Sequence, residues 1–396
     1  MSIMKSTRNV LLLLLLLCAG MVSLFAQQPS KDVLNFGIWQ GFGGNIPTDK
    51  FPEVKGRLSN FSWKDIEPSP NQWNWAAFDR ELTDKSKDNR PVIFMVYTEE
   101  DAPDWIYNNG VPKVTMKDSR GGVLGSAPYY KDDDYKKFFK RMITKVREHV
   151  ETLPSSVRNN IIGIQGCYGS TGDYIGYKGE VAAQYDLTGD ELFSLFKEFT
   201  TYCYNEYKNT SPRIYLLSNP LNQGQQQCEW LVQNIPESWI KCGTIGKCYQ
   251  LNDEKTKATW LFDIINKPHS GGYTRARSEF AGSGSNSGWW KYKPERNLYA
   301  VFCYCIRWGL DWSNMTPEII RDNTYDSALT FFNKYAGEKD PATGTDAICA
   351  FKDALDAADG NRFPASQFGS VSRNNQQRYK SIAEKFAKYG AKLQDV

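Results

Sequence analysis

Two hydrophobic rhythms alternate along the chain. Short apolar runs of strand character recur eight times: "VLNFGIWQ", "GRLSNFSW", "PVIFMVYT", "IIGIQGCYG", "RIYLLSN", "CGTIGKCYQL", "GYTRARSEF" and "GLDWSN". Between them lie stretches with apolar residues three and four apart, the spacing of one helix face. Examples are "WAAFDRELTDKSK", "YKKFFKRMITKVREHV", "DELFSLFKEFTTYCYNEYK", "EWLVQNI", "TKATWLFDIIN" and "RNLYAVFCYCIRW", with "SALTFFNKYA" after the eighth strand. Strands alternating with helices pair in parallel, and eight such units close most simply into a (β/α)8 barrel. The competing arrangement, an open doubly wound sheet, would carry a glycine-rich phosphate turn after an early strand. "GFGGN" after the first strand is a weak imitation of one.

The barrel is expected over residues 27–345. A further helix pattern, "QQRYKSIAEKFAKYG", follows a loop rich in Gly, Pro and Ser, so 346–396 reads as an appendage packed on the barrel. Residues 1–26 read as an export signal: Lys5 and Arg8, a leucine-rich run from Val10 to Leu17, and Ala26 before "QQPS". The run is short for a membrane span. Cys18 offers lipid attachment as an alternative to cleavage near Ala26.

In a barrel of this kind functional groups gather at the C-terminal ends of the strands. Side chains alternate along a strand, so Tyr273, Arg275, Arg277 and Glu279 share one face of the seventh. Thr274, Ala276, Ser278 and Phe280 suit packing against outer helices, which turns the charged set inward. Arg277 then lies beneath Glu279 and favours its ionised form, as a nucleophile requires. An internal ion pair without chemistry is the structural alternative. Arg57, early in the second strand, is expected to be another inward charge. On the fourth strand Ile162 and Ile164 face the helices, so Gln165 and Cys167 face inward. The loop beyond, "GSTGDY", carries Asp173 and Tyr174 over the mouth. Asp173 is the candidate acid/base, with Glu180, Tyr174 and Glu100 as alternatives.

Composition narrows the chemistry. Cleavage near Ala26 removes Lys5 and Arg8 and takes the net charge from +3 to +1, far from the dense basic surface that nucleic acid needs. With 2 histidines in the chain, His149 and His269, neither a Ser-His-Asp mechanism nor a His-rich zinc site is supported. No metal or cofactor is expected. The 9 cysteines show no zinc-type CxxC and read mainly as buried thiols. What concentrates at the strand ends is aromatic rings and carboxylates: Trp63 and Asp65 after the second strand, Glu99, Glu100, Asp101 and Trp105 after the third. Sugar C–H faces pack on flat rings, and carboxylates and amides take the hydroxyl groups. The partner expected is therefore a carbohydrate.

"FSWKDIEPSPNQWNWAAFD" followed by "RPVIFMVYTEEDAPDW" resembles the amino-terminal half of family 42 glycoside hydrolases, the β-galactosidase type, and related agarases of the same clan. The shared pattern is a Phe-x-Trp, a Glu-Pro turn, an aromatic–Asp helix start and a strand ending in Pro-x-Trp. It covers about a quarter of the chain. The resemblance implies an O-glycosidase with Glu279, at the end of strand seven, as nucleophile and Trp312, after strand eight, as the aromatic floor beneath the sugar; the amino-terminal signal adds export. Trp63, Glu100, Trp105, Gln165, Tyr174 and Arg277 complete the expected substrate contacts. The chain departs from the clan at strand four, where "GSTGDY" stands in place of Asn-Glu. A barrel that only binds glycans, and a lyase acting on an acidic polysaccharide through Tyr174 and arginines, are the alternatives.

Overall fold

The computed structural model describes residues 35–41, 43–166, 168–169, 175–219, 224–244, 264–265, 267–269, 272–279, 298, 302, 305 and 309–337. The expected segments 1–26 and 346–396 lie outside them. The elements run β1 (Gly37–Gln40), β2 (Val54–Ser62), α1 (Trp63–Ile66), α2 (Trp75–Lys85), β3 (Val92–Tyr97) and α3 (Asp104–Asn108). A hairpin of β4 (Lys113–Lys117) and β5 (Val123–Pro128) leads to α4 (Asp133–Thr152), α5 (Ser155–Arg158), β6 (Ile161–Gln165) and α6 (Gly189–Tyr207). Then come β7 (Tyr215–Ser218), α7 (Gln225–Asn234), β8 (Trp239–Thr244) and the short ladder of β9 (Pro268–His269) and β10 (Gly272–Tyr273). The last are β11 (Arg275–Glu279), β12 (Trp312–Met315), α8 (Pro317–Arg321) and α9 (Asp326–Tyr335).

Strands β1, β2, β3, β6, β7, β8, β11 and β12 are parallel neighbours in that order, and β12 pairs back onto β1 to close the barrel. The expected (β/α)8 architecture is what the chain adopts. The sixth strand begins at Trp239, three residues before the expected Cys242. The β4–β5 hairpin, inserted after the third strand, was not expected at all.

The outer helices form for local reasons. In α4 the buried side chains are Tyr135, Phe139, Met142, Ile143, Val146 and Val150, a single stripe, and the Asp132 side chain caps the helix by accepting from the Tyr135 amide. Helix α6 starts on a reciprocal capping box between Thr188 and Glu191. Asn333 of α9 ties the last helix to the barrel: its Oδ1 accepts from the Ile38 amide at 2.7 Å and its Nδ2 donates to the Glu53 carbonyl.

The lumen is filled at its base by tryptophan. Trp312, the first residue of β12, meets Trp239 at 4.9 Å between ring centroids and Trp39 at 5.8 Å; Tyr215 stacks on Trp239 at 4.6 Å. Three such rings fit only because neighbouring strands present glycine. A Cβ on Gly56 would stand 2.3 Å from the Trp39 ring, and one on Gly163 would stand 3.0 Å from Trp239. Asp311 seals the same end. Its carboxylate accepts from the Ala276 amide at 2.6 Å and from Arg275 Nη1 at 3.1 Å.

Arg57 does not join this interior. Gly56 and Leu58 take the inward positions, and Arg57 points outward, where its terminal nitrogens donate to the carbonyls of Lys85, Lys87 and Ile46 and to Asp88. It clamps the end of α2, which corrects the inward reading of this charge. Gly56→Ala is expected to lower unfolding stability by about 1–3 kcal/mol, the usual cost of overpacking a filled core; urea titration reads the loss.

Candidate active site

The C-terminal ends of the barrel strands define the site. By register, Glu279 on β11 is level with Asn314 on β12 and Thr244 on β8. Glu279 is the last residue of its strand, as expected; its side chain lies outside the described residues, as do Asp173 and Tyr174 entirely. Two residues lower, by about 6.7 Å of strand rise, Arg277 is fully buried in the lumen. Its Nη2 donates to Oε1 of the equally buried Gln165 on β6. This bond crosses the barrel from the seventh strand to the fourth. It links the strand that ends in Glu279 to the strand that leads into the loop carrying Asp173. Arg275, by contrast, belongs to the base of the barrel, where it pairs with Asp311.

The aromatic residues expected at the mouth are placed otherwise. Trp63 is fully buried in α1, and its indole Nε1 donates to Glu67 Oε2 at 3.0 Å. The Trp105 Nε1 donates to the Glu67 carbonyl at 3.0 Å, and the two tryptophan rings meet edge to face. Glu67 Oε1 also accepts from the Asn71 amide and from Arg141 of α4. The Glu-Pro corner is thus a buried knot in which Trp63 and Trp105 are packing residues, and the sugar-stacking role is withdrawn for both. Trp312 lies at the N-terminal end of β12 within the tryptophan base, two strand positions below Asn314, so it does not floor a site at the opposite end.

Glu100 is exposed and borders a hollow of about 240 Å³ between α3 and the hairpin, with Asp104, Tyr107, Lys113 and Ser126 around it. Glu180 is exposed as well, and its backbone pairs with Lys117 of β4, joining the loop after the fourth strand to the hairpin. Glu99 is buried and neighbours a group of tyrosines. Burial, with the Glu99 carboxyl beside it, pushes the Tyr130 phenol well above its ordinary range. Burial is also the main cause that raises Tyr107, Tyr135 and Tyr177, which keeps these phenols neutral. His149 lies among the outer helices, stacked on Trp75 and 2.6 Å from Asp79. Cys203, Cys228 and Cys305 are buried thiols. Among the described residues no His, Cys, Asp and Glu cluster could hold a metal ion, and no helix is long and apolar enough to cross a membrane.

Strand-end amides were missed in the sequence. Asn314 on β12, Asn60 on β2 and Asn219 just after β7 occupy inward positions by register. The alternation could have found Asn314, two residues beyond an inward Trp312.

The chain is a closed parallel (β/α)8 barrel whose seventh strand ends in glutamate, two residues above a buried arginine. Residues 54–162, from the second strand into the fourth, match the family model of glycoside hydrolase family 42, β-galactosidase. The chain therefore resembles that family in the segment carrying the Glu67 knot. Among solved structures it is similar to a polyextremophilic β-galactosidase from the Antarctic haloarchaeon Halorubrum lacusprofundi, with 9% identity, TM-score 0.48, and coverage of 80% of this chain and 62% of the other. A β-galactosidase from Rahnella sp. R3 gives 11% identity, TM-score 0.45, and coverage of 81% and 64%. Xylanase 10B from Thermotoga maritima gives 8%, 0.44, 77% and 96%. The chain thus spans less than two thirds of either galactosidase chain. No curated protein sequence matches it.

Trp63→Ala should lower stability by about 3–5 kcal/mol, as for other buried large-to-small changes, while glycan affinity per folded molecule stays at the wild-type value. Guanidinium unfolding and calorimetric titration at low temperature separate the two. Weakened affinity in fully folded protein would restore Trp63 to the binding surface.

Proposed function

We propose that the chain is an exported glycoside hydrolase that cleaves O-glycosidic bonds of a galactose-type or related polysaccharide by a retaining, two-carboxylate mechanism. The observation that carries this reading is Glu279 closing the seventh strand directly above the buried Arg277. A guanidinium at that depth favours the ionised carboxylate. Its bond to Gln165 holds the fourth strand at a set distance across the lumen. The family match over residues 54–162 supports the enzyme class.

In this mechanism the Glu279 carboxylate attacks the anomeric carbon while Asp173 gives its proton to the departing glycosidic oxygen. A glycosyl ester to Glu279 forms, and the aglycone leaves as an alcohol. Asp173, now a carboxylate, takes a proton from water, whose oxygen displaces Glu279 and releases a sugar of unchanged anomeric configuration. Such a pair sets its carboxyl groups about 5–5.5 Å apart, against about 6.5–9.5 Å for inversion. The basic start, leucine run and Ala26 support export to the periplasm, cell surface or medium, where polysaccharide is met.

Glu279→Gln separates chemistry from structure. A nucleophile's loss should cut turnover of galactan, agar or xylan by several orders of magnitude while folding and glycan binding persist. A purely structural Glu279 would leave Arg277 uncompensated and cost about 3–5 kcal/mol, with activity falling only in proportion to folded protein. Azide added to Glu279→Ala with an activated aryl glycoside should then yield a glycosyl azide of inverted configuration. Wild-type turnover by either variant, or an unsaturated product absorbing in the ultraviolet from the unmodified enzyme, would remove the proposal.

A further inference from the structure

Among the described residues, the upper lumen holds a buried group that the barrel's packing does not account for. Asn314 is 2% exposed, and both its Oδ1 and its Nδ2 are buried without a hydrogen-bond partner. Its direction follows from its neighbours. Trp312 is part of the tryptophan base inside the barrel, and Ser313 bonds Ser278 on the outer face at 3.2 Å. Asn314 therefore returns to the lumen, about 6.7 Å above Trp312 and in register with Glu279 on the adjacent strand.

A buried amide with neither function satisfied is costly, and native cores rarely keep one without a use. Leucine would fill the same space at no such cost. Among the described side chains, the nearby charged groups are engaged with other residues: Arg277 reaches across to Gln165, and Arg275 is held by Asp311 below. The amide is thus left to a ligand, and its chemistry says which kind. A carboxamide gives through Nδ2 and accepts through Oδ1. A sulfate or carboxylate can only accept, and would leave Oδ1 bare. Two adjacent hydroxyl groups satisfy both ends, one accepting from Nδ2 and the other donating to Oδ1.

We infer that Asn314 is a specificity-determining residue that hydrogen-bonds a free vicinal diol of the neutral sugar held beside Glu279. This inference rests on the glycosidase reading for the placement of that sugar, and it adds a requirement: the sugar in that position carries unsubstituted neighbouring hydroxyls, not a sulfate ester or an anhydro bridge. Sites built to bond a hydroxyl reject the analogue lacking it by large factors, because the site's polar group is then stranded.

The test uses the full chain, Asn314→Leu and the smaller Asn314→Ala, which cannot overpack. Turnover is measured on 4-nitrophenyl galactoside, glucoside and xyloside and on the monodeoxy forms of whichever is cleaved best. Binding of galactan, agar and xylan oligosaccharides is measured by calorimetry in parallel. The expected result is a Tm equal to or above wild type for the leucine variant, with kcat/KM or affinity reduced about 10²-fold or more. Wild type should discriminate against at least one monodeoxy analogue by a similar factor, and both variants should lose that discrimination. Discrimination that survives in both variants would overturn the inference and assign the amide to a buried water. A marked fall in Tm for both would overturn it in favour of a structural bond. A wild type that binds oligosaccharides without cleaving them ends the hydrolase reading alone, since affinities then judge Asn314. A wild type that neither binds nor cleaves overturns both.

Discussion

An eight-stranded barrel encloses a limited volume, and everything else in this molecule follows from how that volume is shared. Aromatic rings occupy its lower part, where Trp39, Trp239 and Trp312 interlock and Gly56 and Gly163 give up their side chains to make room. Those glycines are required by close approach, not by backbone conformation. Polar inward residues begin at the top of these rings: Arg277 is in register with Trp312 and bonds Gln165 across the lumen, and Asn314 lies one inward position higher. A guanidinium can be buried there because it is bonded across the lumen rather than left to solvent. The same bond holds two opposed strands to one separation, which a pair of carboxylates working on one bond would require.

The second organising feature is the Glu67 knot. A carboxylate at zero exposure takes an indole N–H, a backbone amide and the Arg141 guanidinium, while its own carbonyl takes a second indole. Multiple donors of this kind compensate the cost of burying the charge. They also fix the loop after the second strand to α4 and to the loop after the third strand. The matched family segment, 54–162, encloses this knot. Its tryptophans are therefore frame, holding loops from which other side chains reach the mouth.

The fold was legible because strand and helix rhythms differ, and eight alternations leave few other ways to close a sheet. Parity also placed Gln165 and Arg277 inside. The inward expectation for Arg57 rests on its charge and not on parity, which groups it with Ser59 and Phe61 on the face toward α2. The resemblance sets Trp312 after the eighth strand, whereas it is that strand's first residue and lies in the tryptophan base. Trp63 and Trp105 misled for a chemical reason: a ring that could stack on sugar is equally suited to donate its N–H to a buried carboxylate or backbone carbonyl. The hairpin left a trace that went unused. Lys113 to Lys117 alternate exposed and buried, and "DSRGG" is turn chemistry.

The contrast among buried polar groups then localises function more sharply than residue type does. Arg57, Glu67 and the Arg275–Asp311 pair each have partners that belong to the frame: helix-end carbonyls, loop indoles, a strand amide. Those bonds are made within the frame itself and need no ligand. Asn314 lies where the frame supplies no partner, one strand from Glu279 and one layer above a base that tolerates no further volume. Stability gained below, in the tryptophan layer, is what allows an unsatisfied amide to persist above it. Selection for stability alone would replace that amide with leucine. Its presence beside the strand-end glutamate argues that this level of the barrel is shaped for a ligand rather than for packing.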